Sequence, residues 1–531
     1  MHLQTAVKNG INNGENCMKD YKNNPFPLST PEEQGIPSAA IIHFLDRIRE
    51  NDLELHSLQV VRNGKLCINT VVAPFTFDSF HRIFSAAKGV VATAVLFAVQ
   101  DGYFDLNDLV VPLLPAEWIP ENLNEKWSRL TIYHLLTMTA GHDQDSLFLK
   151  MWGKSDCWIK SFFEYEPVYE PGTHFCYDMG AQYVLNELIR NKVGLDTGRY
   201  LDSRLFRKLN IAYTANYTEP EGLFFSSSIQ FHLDTLTKLA QFYLQKGVWN
   251  GERLLREDLA LLIGRHHVPS FHYDPKGISG QIGSWDGYGL HVWCNRCGGF
   301  SIRGGQGQVG MVIPPMNMVI GLHCSATNYQ DLLDILAETI IGESFYYPVK
   351  EDPLCAKRAQ YMLDTLNLAP YNVSSYSQLA QKIHNVVYDF EDNVIGLKHL
   401  SFSFDTNHVT IHAVDSTSDK TISCGIDGEW LENHCGYILN TNDPRNIANL
   451  DRIFGYDVQA TLCSGGWSRA NTFKFYIRSH SLLSDYRYEC EFYENNVFLK
   501  IPYNAIMPRS KYKKRADAPD IYIMGKHKEE I

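Results

Sequence analysis

At 531 residues the chain is too long for one ordinary domain, and its 44% hydrophobic and 20% charged residues are those of a globular protein with material for two or three cores. A formal net charge of -12 speaks against nucleic acid as a partner, because an acidic chain repels phosphate backbones. No stretch reaches the ~18 apolar residues of a membrane span, and the 12 cysteines are scattered rather than set in a dense framework.

The start, Met1 to Asp20, lacks the apolar core of a signal peptide, so a cytoplasmic protein with reduced thiols is expected. In that setting the glycosylation matches at Asn216 and Asn372 are idle. Residues 1–24 are polar and Asn-rich and read as a loose tail. "PSAAIIHFLDRIREN" carries apolar residues at helical spacing. "HSLQVVRNGKLCINTVV" reads as two strands around Asn63-Gly64, a hairpin turn signal. "SAAKGVVATAVLFAVQDG" follows, and from Val90 to Gln100 it is apolar almost all round, the mark of a buried helix. "LTIYHLLTMTAG" predicts a short helix ended by Gly141, and "HLDTLTKLAQFYLQKG" an amphipathic helix stopped by Gly247. From Tyr288 to Ala326 alternating apolar residues broken by glycines predict consecutive antiparallel strands, and "YQDLLDILAETIIGES" returns to helix.

The first part of the chain therefore has strands at both ends and helices between, an α+β arrangement with the terminal strands meeting in one sheet. Beyond it a helical linker containing "LAQKIHNVV" leads to strand-rich sequence: "LSFSFDTNHVTIHAV", "NTFKFYIRS" and "YRYECEFYENNVFLKIPYN". Period-two alternation with short Asn- and Asp-containing turns predicts an antiparallel β-domain, barrel or sandwich. The basic run Arg509–Arg515 reads as a solvated tail.

Ser85 stands three residues before Lys88 at the head of the buried helix. Positions i and i+3 share a helix face, about 5–6 Å apart at Cβ, and a desolvated lysine amine can take a serine's proton. Spacing alone does not single the pair out, since Ser510 and Lys513 satisfy it too. Order along the chain does. "SAAKGVV", "LTIYHLLTMTAGH", "YEPGTHFCYDMGAQYVLNELI", "HLDTLTKLAQFYLQKGVWNGERLL" and "GGQGQVGMVIPPMNMVIGLHC" follow one another between Ser29 and Tyr347. In that order they resemble the segments of the serine β-lactamase-like hydrolases, the class C β-lactamase, esterase and D,D-peptidase group that includes penicillin-binding-protein-like members.

The resemblance implies an antiparallel sheet flanked by helices plus a helical subdomain. It also implies acyl transfer through Ser85, with Lys88 and Tyr177 as the base pair. On residue type alone Tyr177 could equally be a packed tyrosine with a satisfied hydroxyl. The third position of the tyrosine motif, normally asparagine, is Met179, which offers no amide to a substrate carbonyl and turns the expectation from amides toward esters. The lysine or histidine normally found on the closing strand is missing. Arg303 is the candidate for the positive charge, and Gly304 and Gly305 are candidates for backbone approach to the substrate and the oxyanion. Those glycines could equally serve only a tight strand pairing.

Other matches fail on context. Gly305 to Gly310 spells G-x-G-x-x-G, but a strand rather than a helix follows. Cys294 and Cys297 form a lone C-x-x-C, and His266, His267 and His272 cluster in a loop; reduced thiols and solvation are the plainer readings. No metal or organic cofactor is implied.

The expected organisation is a tail at 1–24, a hydrolase domain at 25–347, a helical linker at 348–387, an antiparallel β-domain at 388–510, and a tail at 511–531. Bacterial proteins of the resembled group often carry such an extra C-terminal β-domain. The expected partner is a small-molecule ester or amide/peptide substrate, with homo-oligomerisation open. Two alternatives stand beside the esterase: a D-amino-acid peptidase, amidase or β-lactamase on the same scaffold, and a catalytically impaired ligand-binding protein.

Overall fold

The first domain is organised by its hairpin. Strands Leu55–Arg62 and Lys65–Val71 turn at Asn63 and Gly64, whose φ values of 51° and 74° are those a two-residue hairpin turn requires. On its other side Leu55–Arg62 pairs antiparallel with Met318–Cys324. The sheet continues through Gln308–Ile313, Phe300–Gly304, Trp293–Asn295 and Trp285–Tyr288, seven strands in all. This computed structural model describes residues 24–151, 154–214, 229–270, 285–325, 329–370, 372–435, 460–479, 485–501 and 520–527. The tail before Asn24, Asn216, His272 and the run Arg509–Arg515, with Ser510 and Lys513, lie outside the described residues.

Each face of the sheet buries its own core. On one side lie helix Ser38–Glu50, the helical segment Gln330–Ile341 and helix Pro353–Asp364, contributing Ile41, Phe44, Leu333 and Met362. Pro353–Asp364 falls in the stretch expected as linker, yet its Ala359, Met362 and Leu363 belong to this core. On the other side lie helices Ala87–Gln100 and Thr235–Leu244 and the helical region around Met179–Val193. Ala87–Gln100 is buried continuously from Ala87 to Ala98, as its all-round apolar sequence requires. The short helix Ile132–Leu136 ends earlier than its sequence predicts: Met138, with φ 58°, reverses the chain before Gly141.

The C-terminal region is a closed nine-stranded β-barrel. Its strands run Val387–Phe390, Leu397–Phe404, His408–Asp415, Asp419–Gly425, Thr461–Arg469, Thr472–Ser479, Asp485–Tyr493, Asn496–Ile501 and Ile521–His527. One seam is the parallel bridge Gly425 to Ser464. At the other, Ile521–His527 inserts between Asn496–Ile501 and Val387–Phe390. Phe402, Ile411, Phe473, Phe475, Tyr488 and Leu499 fill the interior. The segment expected as a tail after residue 510 thus supplies a barrel strand. Only Gly525 of that strand is buried, so backbone ladders on both sides hold it rather than an apolar face. Among the described residues no helix is long and apolar enough to cross a membrane.

Candidate active site

Ser85 lies in a single 3-10 turn, Phe84–Ala86, that runs directly into helix Ala87–Gln100. Phe84, just before it, has φ 47°. A left-handed conformation costs an L-residue about 1–2 kcal/mol, and it is held here by the fit of the turn against the closing strand. Gly304, at the end of that strand, packs so tightly that a Cβ would collide with the Ile83 carbonyl oxygen and lie 3.0 Å from the Ala86 nitrogen. The helical spacing read from the sequence brings Lys88 to Ser85: its Nζ donates to Ser85 Oγ at 3.2 Å. Lys88 is 1% exposed. Burial pushes its ammonium down to about 8, against the attraction of Asp145 and Asp178.

Tyr177 reaches the same serine. Its hydroxyl is hydrogen-bonded to Ser85, and burial raises it above the usual phenol range, so the group holds its proton. The ring lies between two partners, with Lys88 Nζ 4.6 Å from its centroid and Trp293 stacked on it at 5.7 Å. His291 is buried, donates from Nε2 to the Leu135 carbonyl at 3.2 Å, and is pushed down to about 3 by burial and by the charge on Lys88.

Two carboxylates flank this group. Asp178 caps helix Met179–Val193. Its Oδ1 accepts from the backbone of Gly180 and from both the backbone and the hydroxyl of Ser146, and its Oδ2 accepts from His142 Nδ1 at 2.8 Å. Asp145, on the loop after helix Ile132–Leu136, accepts on Oδ1 from the backbone of Leu147 at 3.0 Å and of Met179 at 3.3 Å. Burial and the neighbouring Asp178 push its carboxyl up to about 6, opposed by Lys88. The sequence reading missed Asp145, His142 and Trp293. The loop His142–Asp145 has no periodicity and resembles any solvated connection.

The remaining sequence candidates separate. Met179 is half-buried at the first turn of its helix, where its backbone rather than its side chain meets Asp145. Gly304 and Gly305 lie against the serine turn, a Cβ on Gly305 meeting only the Phe84 ring at 3.6 Å. Arg303 does not join them. Successive residues of a strand face opposite ways: Ile302 and Gly304 meet the serine helix and its turn, so Arg303 points to the far side of the sheet. There it is buried and donates to Asn295 Oδ1 at 2.7 Å. The positive charge expected beside the substrate is therefore not supplied by Arg303. Cys294 and Cys297 are in no disulfide bond, and His267 is engaged by the Leu262 carbonyl and the Tyr133 hydroxyl. Among the described residues no group of three His, Cys, Asp or Glu could hold a metal ion.

A family model described as Beta-lactamase matches residues 30–338. No curated protein matches the chain. Among solved structures, the putative 6-aminohexanoate-dimer hydrolase from Bacillus anthracis is similar over 60% of this chain and 87% of its own, at 17% identity and a TM-score of 0.47. The octameric penicillin-binding protein homologue from Pyrococcus abyssi is similar over 92% and 99%, at 14% identity and a TM-score of 0.45. EstCE1, a hydrolase with promiscuous acyltransferase activity, is similar over 56% and 99%, at 15% identity and a TM-score of 0.45.

Proposed function

The chain belongs to the beta-lactamase family, and from that premise we propose that it is a serine hydrolase that cleaves an ester or amide of a small substrate through an acyl-enzyme on Ser85. One observation carries this reading: Lys88 Nζ, at 3.2 Å, and the Tyr177 hydroxyl converge on Ser85 Oγ in a site where the lysine is almost fully buried. Ser85 Oγ bonds to the carbonyl carbon while its proton passes to the neutral amine of Lys88. Tyr177, retaining its proton, relays one to the leaving oxygen or nitrogen as that bond breaks. Water then adds to the acyl carbon, its proton returns through the same groups, and Ser85 is released. The backbone of Ser85 and of the strand end at Gly304 and Gly305 would hold the oxyanion. Met179 presents no amide to the substrate, which favours esters over amides.

The same departure, with Arg303 turned away, favours as a second reading a cleft that binds such compounds without turning them over. One experiment separates the two. Wild type and Ser85→Ala are treated with a fluorophosphonate probe, and p-nitrophenyl acetate turnover is followed in parallel. Labelling and turnover that both vanish in the variant are expected. Labelling that persists in Ser85→Ala removes Ser85 as the nucleophile, and absence of both in wild type leaves the binding reading.

A further inference from the structure

Lys88 is buried, and among the described residues its ammonium is in no ion pair; its hydrogen bond goes to Ser85 Oγ at 3.2 Å. A buried cation needs a compensating partner. The Tyr177 ring offers one, with Lys88 Nζ 4.6 Å from its centroid, and an aromatic face holds a cation more strongly where water is excluded. A tyrosine side chain has only two torsions, so whatever fixes its ring plane fixes both the face given to the amine and the place of the hydroxyl. Trp293 makes that contact. Its indole lies 18° from parallel with the Tyr177 ring, at 5.7 Å between centroids. The indole is itself held: it is buried, Tyr288 meets it edge-on at 4.8 Å and Phe175 at 6.1 Å, and its strand pairs with the closing strand at Ser301.

We propose that Trp293 is a positioning residue of the site: stacked on Tyr177, it fixes the plane in which that ring covers the Lys88 amine. This rests on the reading of Lys88 as the base for Ser85. No atom of Trp293 takes part in the reaction, and its effect passes through Tyr177. The contacts run outward from the sheet. Strand Trp293–Asn295 carries the indole, the indole backs the phenol ring, the ring covers Lys88 Nζ, and Nζ reaches Ser85 Oγ. A strand of the sheet thereby sets the attitude of a tyrosine that arrives from a separate segment, just before helix Met179–Val193. Without the indole the ring can turn about its side-chain torsions, and its cover of the amine and the placement of its hydroxyl are lost together.

The test is a double-mutant cycle on the rate of fluorophosphonate labelling of the full chain: wild type, Trp293→Leu, Tyr177→Leu and the two together. Trp293→Leu is expected to slow labelling by about 10²-fold, the cost of a misplacement near 1 Å. Trp293→Phe, which keeps a flat ring to stack, is expected to return most of that loss. In the Tyr177→Leu background, Trp293→Leu is expected to change the rate by less than about twofold, because the residue through which Trp293 acts is gone. Labelling of Trp293→Leu at the wild-type rate overturns the proposal. So does an equal factor lost in both backgrounds, which is what loosened packing independent of Tyr177 produces. Circular dichroism accompanies each variant; where Trp293→Leu does not fold, Trp293→Met takes its place in the cycle and the same outcomes decide. Either negative result leaves the nucleophile reading intact. Labelling that survives Ser85→Ala, or that never occurs in wild type, overturns both.

Discussion

Tyr177 divides its work between ring and hydroxyl. The ring is packed between Lys88 and Trp293, while the hydroxyl alone reaches Ser85. Tyr177→Phe should therefore lower kcat/KM for an ester by about 10²–10⁴-fold and lower unfolding free energy by about 0.5–1.5 kcal/mol, the net contribution of one hydrogen bond. Steady-state kinetics beside a urea titration checks both, and a variant with full turnover would remove the relay role. The meeting of Ser85 and Lys88 was legible in the sequence because the i, i+3 spacing does the placing, whereas Tyr177, brought to Ser85 from a separate element, was reached only through the family resemblance. Asp145 was not legible, because its relation to Met179 is made across separate elements by a loop without pattern. Arg303 shows a different failure. Its residue type suits the role, but which face of a strand it takes depends on register, and a shift of one residue reverses it.

At the scale of elements, the site depends on how closely strand Phe300–Gly304 approaches the serine turn. Gly304 and Gly89 make that approach possible; a Cβ on Gly89 would lie 3.0 Å from Ile302 Cγ2. Gly304→Ala should push strand and turn apart. A displacement of about 1 Å can cost about 10²-fold in rate, so turnover should fall by that order while the seven-stranded sheet stays folded. Esterase assays together with circular dichroism would show it, and unchanged turnover would mean that the turn tolerates the added methyl. The hairpin, the buried helix and most strands were readable from apolar period and turn residues. The last barrel strand was not, because its residues lie largely outside the core and carry almost no burial signal.

At the scale of the molecule, the barrel is fastened to the first domain through buried charge. Glu54, immediately before strand Leu55–Arg62, accepts from Arg478 at 2.7 Å and Arg487 at 3.3 Å, both on barrel strands, and from His56 Nε2 at 2.7 Å. Arg478 is fully buried. His56 Nδ1 and His81 Nε2 share a hydrogen bond at 3.0 Å, and His81 lies four residues before Ser85. His323, packed edge-on to His81, donates to Gln308 Oε1 at 2.6 Å. Arg478→Met, which leaves Glu54 short of a partner, should destabilise by about 3–5 kcal/mol; a guanidinium titration giving less than 1 kcal/mol, on the order of an exposed pair, would show the seam is solvated. The same cluster predicts acid sensitivity. Burial holds His81 well below 6.5 and His323 down to about 3. Below pH 6.5 the unfolded chain binds these protons and the folded chain does not. Stability should then fall with pH by about 1.4 kcal/mol per unit for each histidine. Glu54 is held below the usual carboxylate range by Arg478 and His56, so its contribution is kept above 4.5 and lost only in stronger acid. Melting curves between pH 7 and pH 4 test this, and a flat profile would contradict it. None of it was legible in the sequence, because Arg478 and Arg487 meet Glu54 only when the two domains dock, and His56, His81 and His323 come together from separate strands of the folded first domain.

The strand Ile521–His527 stands beside the barrel's first strand, Val387–Phe390. During synthesis the barrel therefore cannot close until Ile521–His527 has left the ribosome, whereas the residues of the first domain emerge earlier by roughly ten seconds or more. Through that interval the nascent protein carries a finished sheet with an unoccupied docking face and an open ladder of unpaired strands behind it. A chain lacking Ile521–His527 would leave the edge of Val387–Phe390 bare, so loss of that strand should be read out as aggregation.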